Sequence, residues 1–328
     1  MSPTRRLPVY VAALVGLLTV AGAAAGSGGS GDGLEVHEVR LPKSAGTGEL
    51  AAGRGGAWVA DRFETRLLRI KPRAGKVSDR VRLDTTSVYV AISEGAAWVL
   101  SPSTVVRVDP KRAEVTDTIE LPEDIGLPLA LTAGGGGVWI VTDELEIVRV
   151  DPVELSAVTT MTLAGDASFT ARRDARNDLA VGAGVLWARS PADGLLFRID
   201  TAAGAATPIE LGDGSTVRGG TGLAFGEGAV WAPRRGDELC RVDPAGGDPS
   251  CFDIGREGAS VAAGQGAVWV VTTGRVVLRV DPDDRRVTDT IEPSEALLGA
   301  VAVGAGAVWV TDLGVFRGKA PSVFRIES

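Results

Sequence analysis

The chain has 328 residues, 45% hydrophobic and 23% charged, with 44 glycines, 7 tryptophans, 2 cysteines and 1 histidine. That apolar fraction excludes wholesale disorder, and glycine at about twice its usual share of roughly 7% without a Gly-X-Y period excludes collagen and points to many turns between short strands. A single histidine leaves almost nothing for His-based catalysis or zinc, and a formal charge of −8 gives no footing to nucleic acid or anionic membranes as partners.

Residues 1–25 read as an export signal: Arg5 and Arg6 precede an uncharged stretch from Leu7 to Ala25, where Ala23 and Ala25 form an A-x-A cleavage site. The stretch would span about 28 Å as a helix, so a retained N-terminal anchor is the alternative, and the only contact with a membrane that the sequence offers. Either reading puts the remainder outside the cytoplasm, secreted or held on the outer side of the membrane. Residues 26–33 are a Gly/Ser-rich flexible tether. Loss of residues 1–25 removes two arginines and no acids, which moves the formal charge from −8 to −10.

From residue 34 onward one unit recurs. Trp58, Trp98, Trp139, Trp187, Trp231, Trp269 and Trp309 each follow two small or aliphatic residues, at spacings of 40, 41, 48, 44, 38 and 40. About ten residues after each comes a second signature, Arg69-Ile70-Lys71-Pro72 in the first unit and Arg279-Val280-Asp281-Pro282 in the sixth, carried in all seven by Arg69, Arg107, Arg149, Arg198, Arg241, Arg279 and Arg325. The sixth unit predicts four strands: Ala259 to Ala262, a Gly264-Gln265-Gly266 turn, Ala267 to Val271, Val276 to Val280, an Asp-Pro turn, and Val287 to Ile291. Four strands in about 40 residues, seven times over, describe an all-β seven-bladed β-propeller over residues 34–328, needing no helix. The seventh unit stops after its third strand, and the alternating segment Leu34 to Leu41 supplies the missing fourth. It is predicted to pair with Val323 to Ile326 and close the ring.

The repeats Gly-x-Gly-Ala-Val-Trp-Val, Val-Leu-Arg-Val-Asp-Pro and Val-Thr-Asp-Thr-Ile resemble those of the YVTN and virginiamycin-B-lyase-like (streptogramin lyase-like) seven-bladed propellers over essentially all of residues 34–328. The resemblance implies the fold; for function it is loose, because such repeats serve enzymes, binding proteins and scaffolds alike. Lyases of this type use histidines and a glutamate with magnesium on one face of the ring. No blade core here carries a histidine, and His37 falls on the closing strand at the outer rim, so the lyase site is not carried over and no catalytic residue, metal or cofactor is assigned.

A sevenfold repeat is its own control: a residue present in every blade serves packing, and a departure is a clue to function. The tryptophans therefore read as wedges between blades, and the seven arginines as a structural ring. Cys240 and Cys251 flank the Asp243-Pro244 turn on adjacent strands, and the expectation is a disulfide. Asp281, Asp283 and Asp284 read as a solvated turn rather than a calcium loop. The longest departures, Ala164 to Asp178, Gly212 to Thr221 and Leu313 to Ser322, share the face that carries the fourth-to-first and second-to-third connections. That face gathers Arg172, Arg173, Arg176, Arg189, Arg218, Arg234 and Arg235 near blades four and five, against Glu120, Glu123, Asp124, Asp143, Glu144 and Glu146 near blades two and three. The expectation is an exported monomer that binds a protein or polar envelope ligand there. The alternative is a carboxylate-dependent hydrolase or lyase acting on an extracellular sugar or natural product.

Overall fold

The computed structural model describes residues 33–53, 55–84, 89–93, 95–163, 179–190, 194–212, 222–234, 236–313 and 320–327. Residues 1–32, read above as signal and most of the tether, lie outside that set. All regular structure among the described residues is strand, in seven antiparallel four-stranded sheets.

The first strand, β1 (Glu35–Arg40), is the outermost strand of blade seven. Blade one is β2 (Thr47–Gly53), β3 (Gly56–Asp61), β4 (Arg66–Ile70) and β5 (Asp79–Arg82), and blade two is β6 (Tyr89–Ser93), β7 (Ala96–Leu100), β8 (Thr104–Asp109) and β9 (Glu114–Glu120). Blade three is β10 (Pro128–Gly134), β11 (Gly137–Thr142), β12 (Glu146–Val150) and β13 (Ala157–Thr162). Blade four is β14 (Leu179–Gly182), β15 (Val185–Ser190), β16 (Leu195–Asp200) and β17 (Ala205–Glu210). Blade five is β18 (Ala224–Gly226), β19 (Ala229–Pro233), β20 (Glu238–Val242) and β21 (Ser250–Asp253). Blade six is β22 (Gly258–Gly264), β23 (Ala267–Thr272), β24 (Val277–Val280) and β25 (Val287–Ile291). Blade seven adds β26 (Leu298–Gly304), β27 (Ala307–Asp312) and β28 (Ser322–Glu327) to β1. The first strands of successive blades pack side by side around the ring, and β26 returns to β2.

Closure follows the sequence reading. β1 pairs antiparallel with β28 from Glu35 opposite Glu327 to Arg40 opposite Ser322, and Ser322 Oγ donates to Glu38 Oε1 at 2.8 Å. The chain thus covers the third strand of its last blade with its own N-terminal segment, leaving no internal gap in the ring.

Each inter-blade seam is a hydrophobic cluster holding one tryptophan. Trp98 clusters with Leu131, Val138 and Ile140 of blade three, Trp187 with Leu223, Val230 and Ala232 of blade five, and Trp309 with Leu50, Ala57 and Val59 of blade one. All seven indoles are at most 4% exposed. In five blades the end of the preceding strand supplies an acceptor for the buried indole N–H, Trp98 Nε1 donating to Ser93 O at 3.2 Å and Trp139, Trp231, Trp269 and Trp309 repeating the contact with Gly134, Gly226, Gly264 and Gly304, whereas Trp58 and Trp187 bury the N–H without one among the described residues.

The arginine ring is the second layer of the same device. Every tryptophan stands opposite an arginine of the third strand, and in blades one, two and six that arginine stands opposite an aspartate of the fourth: Trp58, Arg69 and Asp79; Trp98, Arg107 and Asp117; Trp269, Arg279 and Asp289. The guanidinium of Arg107 lies 5.7 Å from the Trp98 ring centre and 3.3 Å from Asp117, so it sits between a π face and a carboxylate. Some arginines also reach the next blade: Arg69 donates to Lys111 O and Arg198 to Pro244 O. In blade seven His37 takes the aspartate's place opposite Arg325, with Nε2 3.4 Å from Glu35 and 3.6 Å from Glu327. Its side chain is 46% exposed, the outer-rim surface position expected of it.

The turns account for much of the glycine. In the first hairpin of blade six, Gln265 and Gly266 have φ of 59° and 71°, the left-handed pair of a type I′ turn, whose twist matches the flanking strands. At the channel end of β14 the reason is space: a Cβ on Gly182 would lie 1.9 Å from the Phe225 ring of the next blade. Cys240 and Cys251 are directly opposite on β20 and β21 and are joined by a disulfide. With a sequence separation of 11, the chain-entropy account gives it about 3 kcal/mol.

The Asp-Pro turns between third and fourth strands are Asx turns. Asp281 Oδ1 accepts from the backbone N–H of Asp283 at 2.8 Å and Asp284 at 2.9 Å, so this acidic cluster is a turn organised by its first carboxylate, as read from the sequence. Asp109 and Asp151 do the same, and hydrogen bonds from the backbone N–H groups of the turn hold all three carboxyls below the usual aspartate range. A depressed folded value favours the native state above the unfolded pKa of about 4 and loses that contribution as pH falls through the lowered value. The urea midpoint is therefore expected to fall as the pH drops below about 4, and more shallowly in the triple variant Asp109→Asn, Asp151→Asn, Asp281→Asn. Parallel pH profiles would contradict this.

Candidate functional site

First strands run from the connector face toward the opposite end of the ring, and the turns of alternate faces follow from that. The fourth-to-first connectors and the second-to-third hairpins share one face; the type I′ turns and the Asp-Pro turns share the other. The axial channel is lined by the first strands of all seven blades, with residues such as Ala52, Ile92, Ala133, Phe225, Ala263 and Val303, and encloses about 310 Å³. The side chains of its wall are almost wholly aliphatic or aromatic, and the polar groups it offers are chiefly the unpaired backbone groups of these edge strands.

On the connector face, backbone bonds tie each connector to a hairpin. The residue after the second strand donates its N–H to the connector of its own blade: Arg62 to Gly46 O, Asp143 to Leu127 O, Thr273 to Glu257 O and Leu313 to Leu297 O. The residue after the fourth strand donates back to the hairpin beside it: Leu83 to Thr65 O, Leu121 to Ser103 O, Leu163 to Leu145 O, Leu211 to Gly194 O, Ile254 to Asp237 O, and Leu41 to Pro321 O across the closure. These six aliphatic residues are buried, each seated under its blade's rim.

Side-chain carboxylates reinforce the ties. Asp61, fully buried, accepts from Gly46 N at 2.9 Å, Phe63 N at 3.2 Å and Arg66 Nε at 2.8 Å, which fastens the connector after the closing strand to blade one. Asp312 accepts from Ser322 N and Ser294 Oγ. Asp143 Oδ1 accepts from Leu127 N at 2.6 Å, and Glu146 Oε2 accepts from Gly126 N at 2.8 Å and Thr142 Oγ1 at 2.9 Å. Two of the six acids grouped near blades two and three are thus loop ties, while Glu120, Glu123, Asp124 and Glu144 are exposed. Among the described residues no group of three or more His, Cys, Asp or Glu is arranged to hold a metal ion.

The seven candidate arginines divide. Arg172, Arg173, Arg176, Arg218 and Arg235 lie outside the described residues. Arg189 belongs to β15 opposite Leu196 and is 5% exposed, which makes it a buried strand residue rather than part of an open loop surface. Arg234 follows β19 and is half-buried. Its Nη1 lies 3.1 Å from Glu238, and its guanidinium packs over Gly212, where a Cβ would lie 2.5 Å from Nη2. The structure therefore places the Arg234 guanidinium against Gly212, the first residue of the Gly212 to Thr221 departure.

Sequence reasoning missed a cavity of about 650 Å³ between blades two and three, formed by Pro102 and Ser103 of the β7–β8 hairpin and by Glu120 to Pro128 of the β9–β10 connector. Leu127 beside it is 51% exposed. The connector's Leu-Pro-Glu-Asp-Ile-Gly-Leu-Pro composition was a signal, but its meaning depends on the hairpin that faces it.

No family model and no curated protein matches the sequence. Among solved structures, virginiamycin B lyase from Staphylococcus aureus superposes with a TM-score of 0.71 at 16% identity, covering 90% of this chain and 100% of that one. A YCF48 structure bound to D1 peptide gives 0.64 at 13% identity, with 90% and 97% covered, and BamB from Moraxella catarrhalis gives 0.53 at 16% identity, with 86% and 83% covered. The chain therefore has the propeller fold that virginiamycin B lyase has, as the repeats implied.

Proposed function

We propose that this chain is an exported interaction module that holds a protein or polar envelope ligand against its connector face, with Arg234 and Arg235 and the neighbouring Arg172, Arg173, Arg176 and Arg218 as the contact sector, without the buried Arg189. The observation that carries the reading is the division of labour in the ring: one face is built of short repeated turns, and the other carries the connectors and second-to-third hairpins, which among the described residues are tied to one another by backbone bonds. Fixed loops on a rigid scaffold bind with little ordering cost. The cross-strand disulfide supports an oxidising, extracytoplasmic setting. The peptide complex of YCF48, a propeller of similar fold, supports a protein or peptide as the class of partner.

The test uses the protein as bait for envelope extracts, beside a variant with Arg234→Ala and Arg235→Ala. The variant is expected to retain its melting temperature within about 2 °C and to lose about tenfold in capture of the principal partner. Equal capture by both proteins would remove the arginine sector from the site.

A further inference from the structure

The cavity between blades two and three is a second recognition site, separate from the arginine sector, and we propose that it takes a basic peptide segment: an apolar side chain flanked by lysine or arginine. Its volume of about 650 Å³ lies within the range of ligand pockets. The floor is apolar, from Leu121, Ile125 and Leu127, and three of its walls are prolines, Pro102, Pro122 and Pro128. Proline removes conformational freedom before any ligand arrives, so this wall is preformed.

The connector is held open by bonds already described: Leu121 N to Ser103 O, Gly126 N to Glu146, and Leu127 N to Asp143. Gly126 leaves room for the last pair, since a Cβ there would lie 2.4 Å from Asp143 Oδ1. A half-exposed leucine held in place at a cavity is an apolar surface that packing in the blade does not use.

Charge selects the occupant. Glu120 and Glu123 line the cavity and are exposed, and among the described residues neither is paired with a cation. Two carboxylates beside an apolar floor are complemented by two cations bracketing an apolar group, and an acidic or uncharged segment would leave both carboxylates desolvated and unpaired.

The experiment is fluorescence anisotropy of the full chain with fluorescein-labelled Arg-Leu-Pro-Leu-Arg and Glu-Leu-Pro-Leu-Glu. The basic peptide is expected to bind and the acidic one not to bind at millimolar concentration. Because the whole protein is acidic, charge alone must be controlled. Glu120→Lys with Glu123→Lys is expected to weaken binding about tenfold or more, whereas Asp283→Lys with Asp284→Lys, the same change in charge on the opposite face, leaves it within about twofold. Leu127→Ser is expected to weaken binding about fivefold at high and low salt alike. Arg234→Ala with Arg235→Ala leaves peptide binding unchanged, so failure of the arginine sector and failure of this site are read separately. The proposal is overturned if the basic peptide does not bind, if both double lysine variants lose it equally, or if Leu127→Ser has no effect.

Discussion

Deletion of residues 34–42 is expected to lower the melting temperature by about 10 °C or more and to make the protein associate in a concentration-dependent way. The segment contributes a complete edge strand, six residues in register with β28, and it buries Val39 and Leu41 in the same cluster as Leu50, Val59 and Trp309. Two such side chains are worth about 1.5–3 kcal/mol each, before the ladder bonds and the Glu38 to Ser322 contact are counted. Removing the strand also bares the edge of β28, a template for pairing with another chain. Calorimetry with light scattering reads both effects, and a synthetic peptide of residues 34–42 is expected to restore the melting temperature and suppress the association. An unchanged melting temperature would mean that closure contributes nothing to the fold.

Trp98→Ala is expected to cost about 3–5 kcal/mol, the range for emptying a buried aromatic site. The indole is fully buried between blades two and three, its N–H satisfies Ser93 O, and its face carries the Arg107 guanidinium. The alanine variant therefore loses a wedge, orphans a carbonyl, and leaves Arg107 held only by Asp117. Trp98→Phe keeps most of the volume and no N–H, and is expected to fall between the two. Urea denaturation measures the series; a loss below about 1 kcal/mol for alanine would mean that the blades slide together to fill the gap.

The fold was readable because its stabilising devices recur at one-residue resolution. Trp58 to Trp309 and Arg69 to Arg325 are chemically distinctive, so seven copies stand out, and the Asp-Pro turns announce the strand boundaries. The closing strand was readable from arithmetic, because the seventh unit ended one strand short. Other recurring devices were hidden by ordinary chemistry. Leu41, Leu83, Leu121, Leu163, Leu211 and Ile254 recur as regularly as the tryptophans, but a leucine after a strand does not distinguish a rim anchor from a core residue. The buried groups at or just after the ends of second strands differ in type and partner: Asp61 and Asp312 accept from the connectors, whereas the hydroxyls of Ser101 and Thr272 donate within their own hairpins to Thr104 O and Val276 O, which defeats any search for identity.

The candidate site was legible only as a face. Which loops share it follows from strand alternation, but Arg189 was grouped with loop arginines because a sequence does not show where β15 ends. Glu146 and Asp143 were grouped with free acids because their backbone partners lie 20 and 16 residues away. The cavity between blades two and three depends on residues 102–103 meeting residues 120–128, a contact set by tertiary packing alone.

The register of the closing strand also fixes a direction. Glu35, its first residue, stands opposite Glu327, the last of β28, on the face of the Asp-Pro turns. Anything joined ahead of residue 33 therefore departs from that side, and the connector face is displayed away from it. A surface, a bead or a fusion partner attached at that end would carry the propeller with its connector face turned outward and its repeated turns toward the support.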